Sequence, residues 1–257
     1  MEKCRLCGTP QEKFPKSHII PEFMYKDIKN AKSQIFRMRM PYGDRLKPIL
    51  TGYYEKPLLC TECEKKIGLW ESYAEKVLNG STHFQMPVVS KTKDDLIQSV
   101  TGIDYTSFKL FLLSIIWRAS VTNQPFFKEV SLGKEHEDRI AKMMLDGYPG
   151  EEDVYPITLI VPKGPIGKNL SIGQPYKNKT STNAVRYLFP IAEIIYIYHI
   201  SKHGLEEINN LTAIKKNNTM KIIFWPISRL NAFLELYQVK KQYAQKLRVY
   251  TLIGDVE

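Results

Sequence analysis

The chain has 257 residues, 43% of them hydrophobic, and its lysines and arginines outnumber its acidic residues by ten. This length and apolar content support a substantial core, built as one large domain or two modest ones. The longest central apolar run, residues 110–117, is too short to cross a bilayer, and the run 188–200 is interrupted by Pro190 and Glu193. We therefore expect no membrane partner, and the positive charge favours a polyanion, either nucleic acid or an anionic surface.

The only four cysteines of the chain form two C-x-x-C pairs, Cys4 with Cys7 and Cys60 with Cys63. Each pair presents two thiolates on one tight turn, and two such turns complete a tetrahedral zinc shell. We therefore predict a structural Zn²⁺ site with all four cysteines as ligands, which leaves none for a disulfide. The chain also opens without a signal peptide, so we expect a reduced, cytoplasmic protein.

Between the two pairs lie a short strand-like segment, residues 17–21, and a stretch rich in basic and aromatic side chains, residues 30–57. We predict a strand pair or a loop for this stretch, inserted between the halves of the zinc site. The first eighty residues hold fifteen basic and ten acidic residues, so they carry five of the ten excess positive charges. Basic side chains interleaved with aromatic rings suit a nucleic-acid surface, but an ordinary solvated hairpin explains the pattern equally well.

The second cysteine pair leads into an amphipathic helix, residues 65–78, which Glu64 opens. Its apolar residues recur at three- and four-residue spacing and form one face that packs onto the domain. These residues are Ile67, Trp70, Ala74 and Val77. Glu64 and Glu71 are seven residues apart and share another face of the helix. We interpret Glu71 as a solvated helix residue.

For the rest of the chain we predict a linker and a second domain. We place the zinc-binding domain at residues 1–80, the linker at 81–105, and an α+β domain at 106–257. The last domain is expected to position substrate, to oligomerise or to regulate. Its predicted elements are helices at 107–120, 134–145 and 229–248, and strands at 157–161, 186–200 and 219–225.

The amino-terminal pattern resembles the HNH, or ββα-metal, endonucleases in their zinc-stapled form. In that family a C-x-x-C pair precedes a strand of the type Asp/His-His-Ile-Ile-Pro, and an Asn precedes a second C-x-x-C pair that His follows directly. Here Ser17-His18-Ile19-Ile20-Pro21 matches the strand, Glu55 stands at the Asn position and Glu64 at the last His. The resemblance covers residues 4–78. It implies an α+β protein, with a zinc-stapled ββα-metal (treble-clef-like) domain followed by the α+β carboxy-terminal domain.

The resemblance also implies metal-assisted hydrolysis of phosphodiester bonds. His18 would take a proton from the attacking water, with Glu55 and Glu64 as further catalytic residues. Ser17, Glu55 and Glu64 would hold a catalytic Mg²⁺ or Mn²⁺. Ser17, Glu55 and Glu64 all depart from the family pattern. The two glutamates keep the site anionic, but the departures leave open whether the site cuts nucleic acid or only binds it.

The predicted function is that of an HNH-like endonuclease, with DNA favoured over RNA as the substrate. By analogy, such chains resemble effectors of anti-phage defence or restriction-type endonucleases. Because an unregulated nuclease would harm its host, we expect a homo-oligomer or a regulatory partner protein to control the activity. The alternative is a catalytically inactive zinc-knuckle module that binds nucleic acid or protein. A third hypothesis is a protein-interaction scaffold built on the apolar residues 108–120 and 187–200.

Overall fold

The structure is a computed structural model, and its fold class is α+β, as predicted. The predicted final helix, residues 229–248, lies outside the described residues. No helix in the described part of the chain combines the length and the apolar content needed to span a membrane. The described residues are 1–26, 29, 32–39, 44–78, 86–92, 96–163, 172–179, 183–201 and 214–226.

Short strands make up most of the amino-terminal part. These are β1 (Glu2–Lys3), β2 (Pro10–Gln11), β3 (Ser17–His18), β4 (Ile35–Arg39), β5 (Asp44–Ile49) and β6 (Tyr54–Glu55). Strands β1 and β2 form one antiparallel pair, and β3 and β6 form another. The predicted strand pair within residues 30–57 is confirmed as the antiparallel pair β4 and β5. Strands β3 and β6 are far apart in sequence, so their pairing brings together the two ends of the segment that contains β4 and β5.

Three α-helices lie in the described ranges, and all three were predicted. They are α1 (Thr61–Leu78), α2 (Tyr105–Val121) and α3 (Lys134–Asp146). Helix α2 is buried almost all round, as its apolar sequence indicated. The carboxylate of Asp104 caps it by accepting a hydrogen bond from the backbone N–H of Ser107 at 2.7 Å. Helix α3 ends at Gly147, whose φ of +70° lies in the left-handed region that glycine adopts without strain.

A seven-stranded sheet forms the body of the second half, in the order β11–β12–β13–β9–β14–β8–β7. Its strands are β7 (Val88–Lys91), β8 (Ile97–Thr101), β9 (Ile157–Lys163), β11 (Tyr176–Lys179), β12 (Val185–Ile191), β13 (Ile194–His199) and β14 (Thr219–Pro226). Strand β14 runs parallel to β9, whereas the other neighbouring pairs are antiparallel. A further short strand, β10 (Ile172–Gly173), is not part of this sheet and pairs with β4 instead. The predicted strand-like run 186–200 is therefore two strands, which turn at Ala192 and Glu193.

Strand β13 shows how the sheet is covered on both faces. Its side chains alternate between the two faces with the period of two that a strand imposes. Tyr196 and Tyr198 belong to the main core, which also contains α2, whereas Ile195 and Ile197 belong to a second cluster on the opposite face. Both faces are buried, which explains why the sequence of this strand is apolar throughout.

The two predicted domains share a continuous core. Helix α1 packs on α2, the ring of Phe23 lies 5.7 Å from that of Phe111, and Tyr53 stacks on Phe126 at 4.4 Å between ring centroids. The predicted linker, residues 81–105, contains β7 and β8, which are strands of the large sheet. The bounds of the domains stay a prediction, but the amino-terminal part is docked on α2 by these apolar contacts.

His199 gives the sheet a pH-dependent stability. It is 6% exposed, it lies opposite Arg186, and its Nε2 is 3.1 Å from Thr158 Oγ1. Burial, with a smaller contribution from Arg186, lowers the pKa of His199 to about 4. In the unfolded chain its pKa is about 6.5. As the pH falls, the unfolded chain therefore binds the proton first, and folding loses free energy between about pH 6.5 and pH 4.

We expect this loss to reach about 3 kcal/mol, and replacing His199 with glutamine should remove it. The measurement is the free energy of unfolding by urea at pH 7.5 and pH 4.5, for the wild type and His199→Gln. His136→Gln, on α3, is the control for the loss of one histidine. An equal pH dependence in the wild type and His199→Gln would contradict the assignment.

Candidate metal centre and neighbouring candidate active site

The four cysteines come together as predicted. Their Sγ atoms all lie within 4.8 Å of one another, and Cys7 Sγ is 3.8 Å from Cys60 Sγ. Four sulfurs at about 2.3 Å from a zinc ion stand about 3.8 Å apart in a tetrahedron. All four cysteines are free of disulfides. The cluster therefore fits a tetrahedral ion bound by four thiolates.

The first cysteine pair is shaped by a tight turn between β1 and β2. Gly8 follows the pair with a φ of +74°, a conformation that favours glycine. Its N–H donates to the carbonyl of Cys4 at 2.8 Å, and the N–H of Cys4 donates to the carbonyl of Thr9 at 3.0 Å. These bonds fold the turn back on itself, so Cys4 and Cys7 present their sulfurs on the same side.

The second pair lies at the start of α1, and backbone bonds join it to the first. Cys63 is in the first turn of the helix, one residue before Glu64, whose N–H makes the first helical hydrogen bond, to the carbonyl of Cys60 at 3.0 Å. The N–H of Cys60 donates to Cys4 Sγ at 3.3 Å, and the N–H of Arg5 donates to the carbonyl of Leu58 at 2.9 Å. The two turns are thus held against each other by the backbone as well as by their sulfurs.

The electrostatics of the cluster also fit a cation. Burial raises the pKa of the Cys4 and Cys63 thiols, and the neighbouring Cys60 raises that of Cys63 further. Burial also acts to raise the pKa of Cys7, but hydrogen bonds, chiefly with Thr9, outweigh it and lower the pKa to about 6. Adjacent buried thiolates repel each other, and a dication between them offsets this repulsion.

His18 lies on β3, and the preceding Ser17 accepts a hydrogen bond from the N–H of Leu59, next to Cys60, at 3.3 Å. In the β3–β6 pair, His18 is opposite Tyr54, and Ser17 is opposite Glu55. Ser17 is fully buried, whereas the His18 ring, on the other face, is half-buried. Burial lowers the pKa of His18, and the charge of Glu22 opposes this. The ring is therefore neutral at neutral pH and able to accept a proton.

Glu64 is the predicted site residue that the structure leaves most open to a ligand. It lies in the first turn of α1, next to Cys63, and burial raises the pKa of its carboxyl, against the effect of a hydrogen bond with Ser17. Its Oε1 is buried and has no hydrogen-bond partner among the described residues. A buried carboxylate oxygen without a partner is costly. A cation bound there would compensate for this cost.

Glu55 is instead engaged with protein groups. Its Oε1 forms an ion pair with Arg5 at 2.9 Å, and its Oε2 accepts a hydrogen bond from the N–H of Asn123 at 2.7 Å. The amide of Asn123, at 3.2 Å, and the hydroxyl of Thr122 also donate to it. These contacts tie the first cysteine turn to the residues that follow α2. The role of Glu55 as a metal ligand stays a prediction, and its observed role is structural.

Sequence reasoning missed Arg118, which connects the site to α2. The side chain is 1% exposed, and it donates to the carbonyl of His18 at 2.6 Å and to Glu71 Oε1 at 2.7 Å. It also bonds the carbonyl and the hydroxyl of Ser114, both at 3.1 Å. The interpretation of Glu71 as solvated was wrong, because Glu71 pairs with this buried arginine. A cationic residue in a helix that is apolar on nearly every side was the signal, since buried charges are paired.

An open groove of about 440 Å³ adjoins these groups, between α1 and the turn after β3. Its walls include Glu22 and Lys26 on the turn and Glu71 and Glu75 on α1. Lys26 and Glu75 form an ion pair across it at 2.7 Å. Glu22 and Glu71 are also the acidic groups that act on the charge of His18. The groove therefore lies close to His18.

Within the described residues, the four cysteines are the one group of three or more His, Cys, Asp or Glu side chains close enough to share an ion. His18, Glu55 and Glu64 do not form a second such group there, and of the two carboxylates only that of Glu64 keeps an oxygen without a protein partner. No family model, no curated protein and no solved structure matches the chain.

Proposed function

We propose that the chain is a metal-dependent endonuclease of the HNH type, which cuts nucleic-acid phosphodiester bonds. The buried Oε1 of Glu64, which has no hydrogen-bond partner among the described residues and directly follows the second cysteine pair, is the observation that carries this proposal. A buried carboxylate oxygen without a partner suits a bound cation, and it lies in the first turn of α1, next to Cys63. This arrangement agrees with a ββα-metal unit made of β3, β6 and α1.

Two kinds of metal belong to this proposal. A closed set of four thiolates suits structural Zn²⁺, which would staple the turn between β1 and β2 to the start of α1 through Cys4, Cys7, Cys60 and Cys63. Glu64 and Ser17 would hold Mg²⁺ or Mn²⁺, which prefer oxygen ligands and usually keep several waters. When bound, such an ion stabilises the negative charge that develops on the phosphate oxygens. The unpartnered Oε1 of Glu64 fits this role, and Glu55 does not need to take part.

His18 is the general base of the proposed reaction. Its ring is neutral and partly open to solvent, so it can take a proton from the water that attacks phosphorus. Arg118 holds the His18 carbonyl and Glu71 at once, which fixes the strand of the base against α1. We assign Arg118 to positioning, because it contacts the backbone of His18 and not the reacting atoms.

We expect His18→Ala to lower the rate of DNA cleavage by about 10²- to 10⁴-fold, the usual contribution of a general base. The assay measures nicking of supercoiled plasmid and of single-stranded circular DNA with Mg²⁺ or Mn²⁺. His136→Ala is the matched control and should cut like the wild type. Zinc content, measured on all three proteins, should be unchanged. Cleavage that survives in the zinc-loaded His18→Ala protein would refute the assignment of the base.

A second candidate is a zinc-bearing module that binds nucleic acid without cutting it. One observation favours it: Glu55 and Glu71 are both neutralised by arginines, Arg5 and Arg118. An oxygen-rich metal site with three carboxylates is therefore not assembled among the described residues. Nucleic-acid binding by the wild type without any metal-dependent cleavage would favour this candidate.

A further inference from the structure

We propose that Tyr54 and Lys16 form a subsite for one unpaired nucleobase and its adjoining phosphate, beside His18. The role of this subsite in cleavage rests on the proposed function, whereas its binding of nucleic acid does not. The ligand class is single-stranded nucleic acid, because a base in a duplex is already stacked on its neighbours.

The ring of Tyr54 lies on the same face of the β3–β6 pair as His18. The two residues are opposite each other in the antiparallel register of β3 and β6, and such pairs point to the same side. Their ring centroids are 6.3 Å apart, with the planes at 72°. Ser17 and Glu55, on the other side of the same strands, are buried. Tyr54 is 36% exposed, so this face is the open one.

Lys16 supplies the positive charge next to this ring. Its side chain is exposed, and its Nζ lies 4.7 Å from the centroid of the Tyr54 ring. An exposed lysine moves easily from a ring face to a nearby phosphate oxygen, because its contact with the ring is worth only about 1 kcal/mol. An aromatic platform with an adjacent cation is the combination that proteins use to bind single strands without sequence preference.

The backbone of Tyr54 is fixed on both sides. The side chain of Gln124 donates to its carbonyl at 2.9 Å, and the preceding Tyr53 stacks on Phe126. The following Glu55 is held by Arg5 through the ion pair described above. The strand that carries Tyr54 is thus anchored in the protein core while the ring points outwards. A ring presented from a fixed backbone loses little conformational entropy when a base stacks on it.

The position of the subsite determines which phosphate of a bound strand would lie near His18. A base on Tyr54 would set an adjoining phosphate on the same face as His18, where the proposed general base is located. The preference for unpaired nucleotides would then come from binding and would be independent of base identity. DNA and RNA single strands share this chemistry, and their comparison identifies which of them the protein prefers.

The test is fluorescence anisotropy with labelled twelve-nucleotide single-stranded DNA, single-stranded RNA and duplex DNA, on zinc-loaded protein without added Mg²⁺. We expect single strands to bind more tightly than the duplex, and Tyr54→Ala to weaken single-strand binding by about 5- to 150-fold. Tyr54→Trp should retain binding, since it keeps an aromatic platform. Tyr148→Ala, which removes a tyrosine that is 53% exposed after α3, is the matched control.

Lys16→Ala should weaken binding and reduce its dependence on salt concentration, because one phosphate contact is lost. Equal affinities of the wild type and the folded, zinc-loaded Tyr54→Ala protein would overturn the proposal, as would equal affinity for duplex and single strand. Binding that depends on Tyr54 in a protein that does not cut would refute the nuclease but uphold the subsite. His18-dependent cutting with Tyr54-independent binding would refute the subsite alone.

Discussion

Replacing Cys60 with serine is expected to abolish zinc binding and to unfold at least the amino-terminal part of the chain. The free energy of binding zinc to four thiolates is on the order of 10 kcal/mol, which is comparable with the stability of a whole domain. The Sγ of Cys60 also lies 3.8 Å from that of Cys7, so the substitution removes a sulfur through which the two halves of the cluster meet. Zinc content by mass spectrometry and thermal unfolding by circular dichroism measure the effect.

The matched control is Glu62→Gln, within the same C-x-x-C pair. Glu62 is exposed and pairs with the exposed Lys65, so zinc content and melting temperature should stay close to those of the wild type. A Cys60→Ser protein with one zinc per chain and an unchanged melting temperature would show that the cluster is not a metal centre.

Replacing Arg118 with methionine is expected to cost about 3 to 5 kcal/mol of unfolding free energy. The side chain is buried, and its removal leaves the Glu71 carboxylate, the His18 carbonyl and the Ser114 hydroxyl without their donor. Arg118→Lys should recover only part of the loss, because an ammonium cannot reproduce the fork that reaches both His18 and Glu71. Urea unfolding at pH 7.5 provides the measurement.

A double-mutant cycle with Glu71→Met separates the ion pair from the other contacts of Arg118. We expect the double variant to be more stable than the sum of the two single losses indicates, with a coupling of about 1 kcal/mol or more. The Glu62–Lys65 pair on the surface of α1 serves as the comparison, with a smaller coupling. A loss below about 1 kcal/mol in Arg118→Met would contradict the role of Arg118 as the link between α2 and the site.

Local patterns predicted the helices and the cysteine cluster well. Helix α1 buries Ile67, Trp70, Ala74 and Val77, the face that its spacing indicated. The end of α3 follows from Gly147, and the clustering of the four cysteines follows from their spacing. These features depend on residues that are close in sequence or on a donor set with few other uses, so one sequence suffices to find them.

Other features depend on partners distant in sequence. Glu55 was predicted as a metal ligand, but its carboxylate is bound by Arg5 and Asn123. These two residues belong to segments that only the fold brings close to Glu55. The turn that splits the apolar run 186–200 uses Ala192 at a φ of +51°, without the glycine or asparagine that usually marks such a turn. The segment predicted as a linker holds β7 and β8 because β8 pairs with β14, more than a hundred residues later.

The measurement that tests the nuclease proposal most directly is the position of Mn²⁺ in crystals of the zinc-loaded protein, by anomalous diffraction at the zinc and manganese edges. We predict zinc among the four cysteine sulfurs and a separate manganese beside the Glu64 carboxylate. Manganese that is absent from Glu64, in crystals where zinc fills the cysteine cluster, would contradict a metal-dependent active site and leave the binding module as the function.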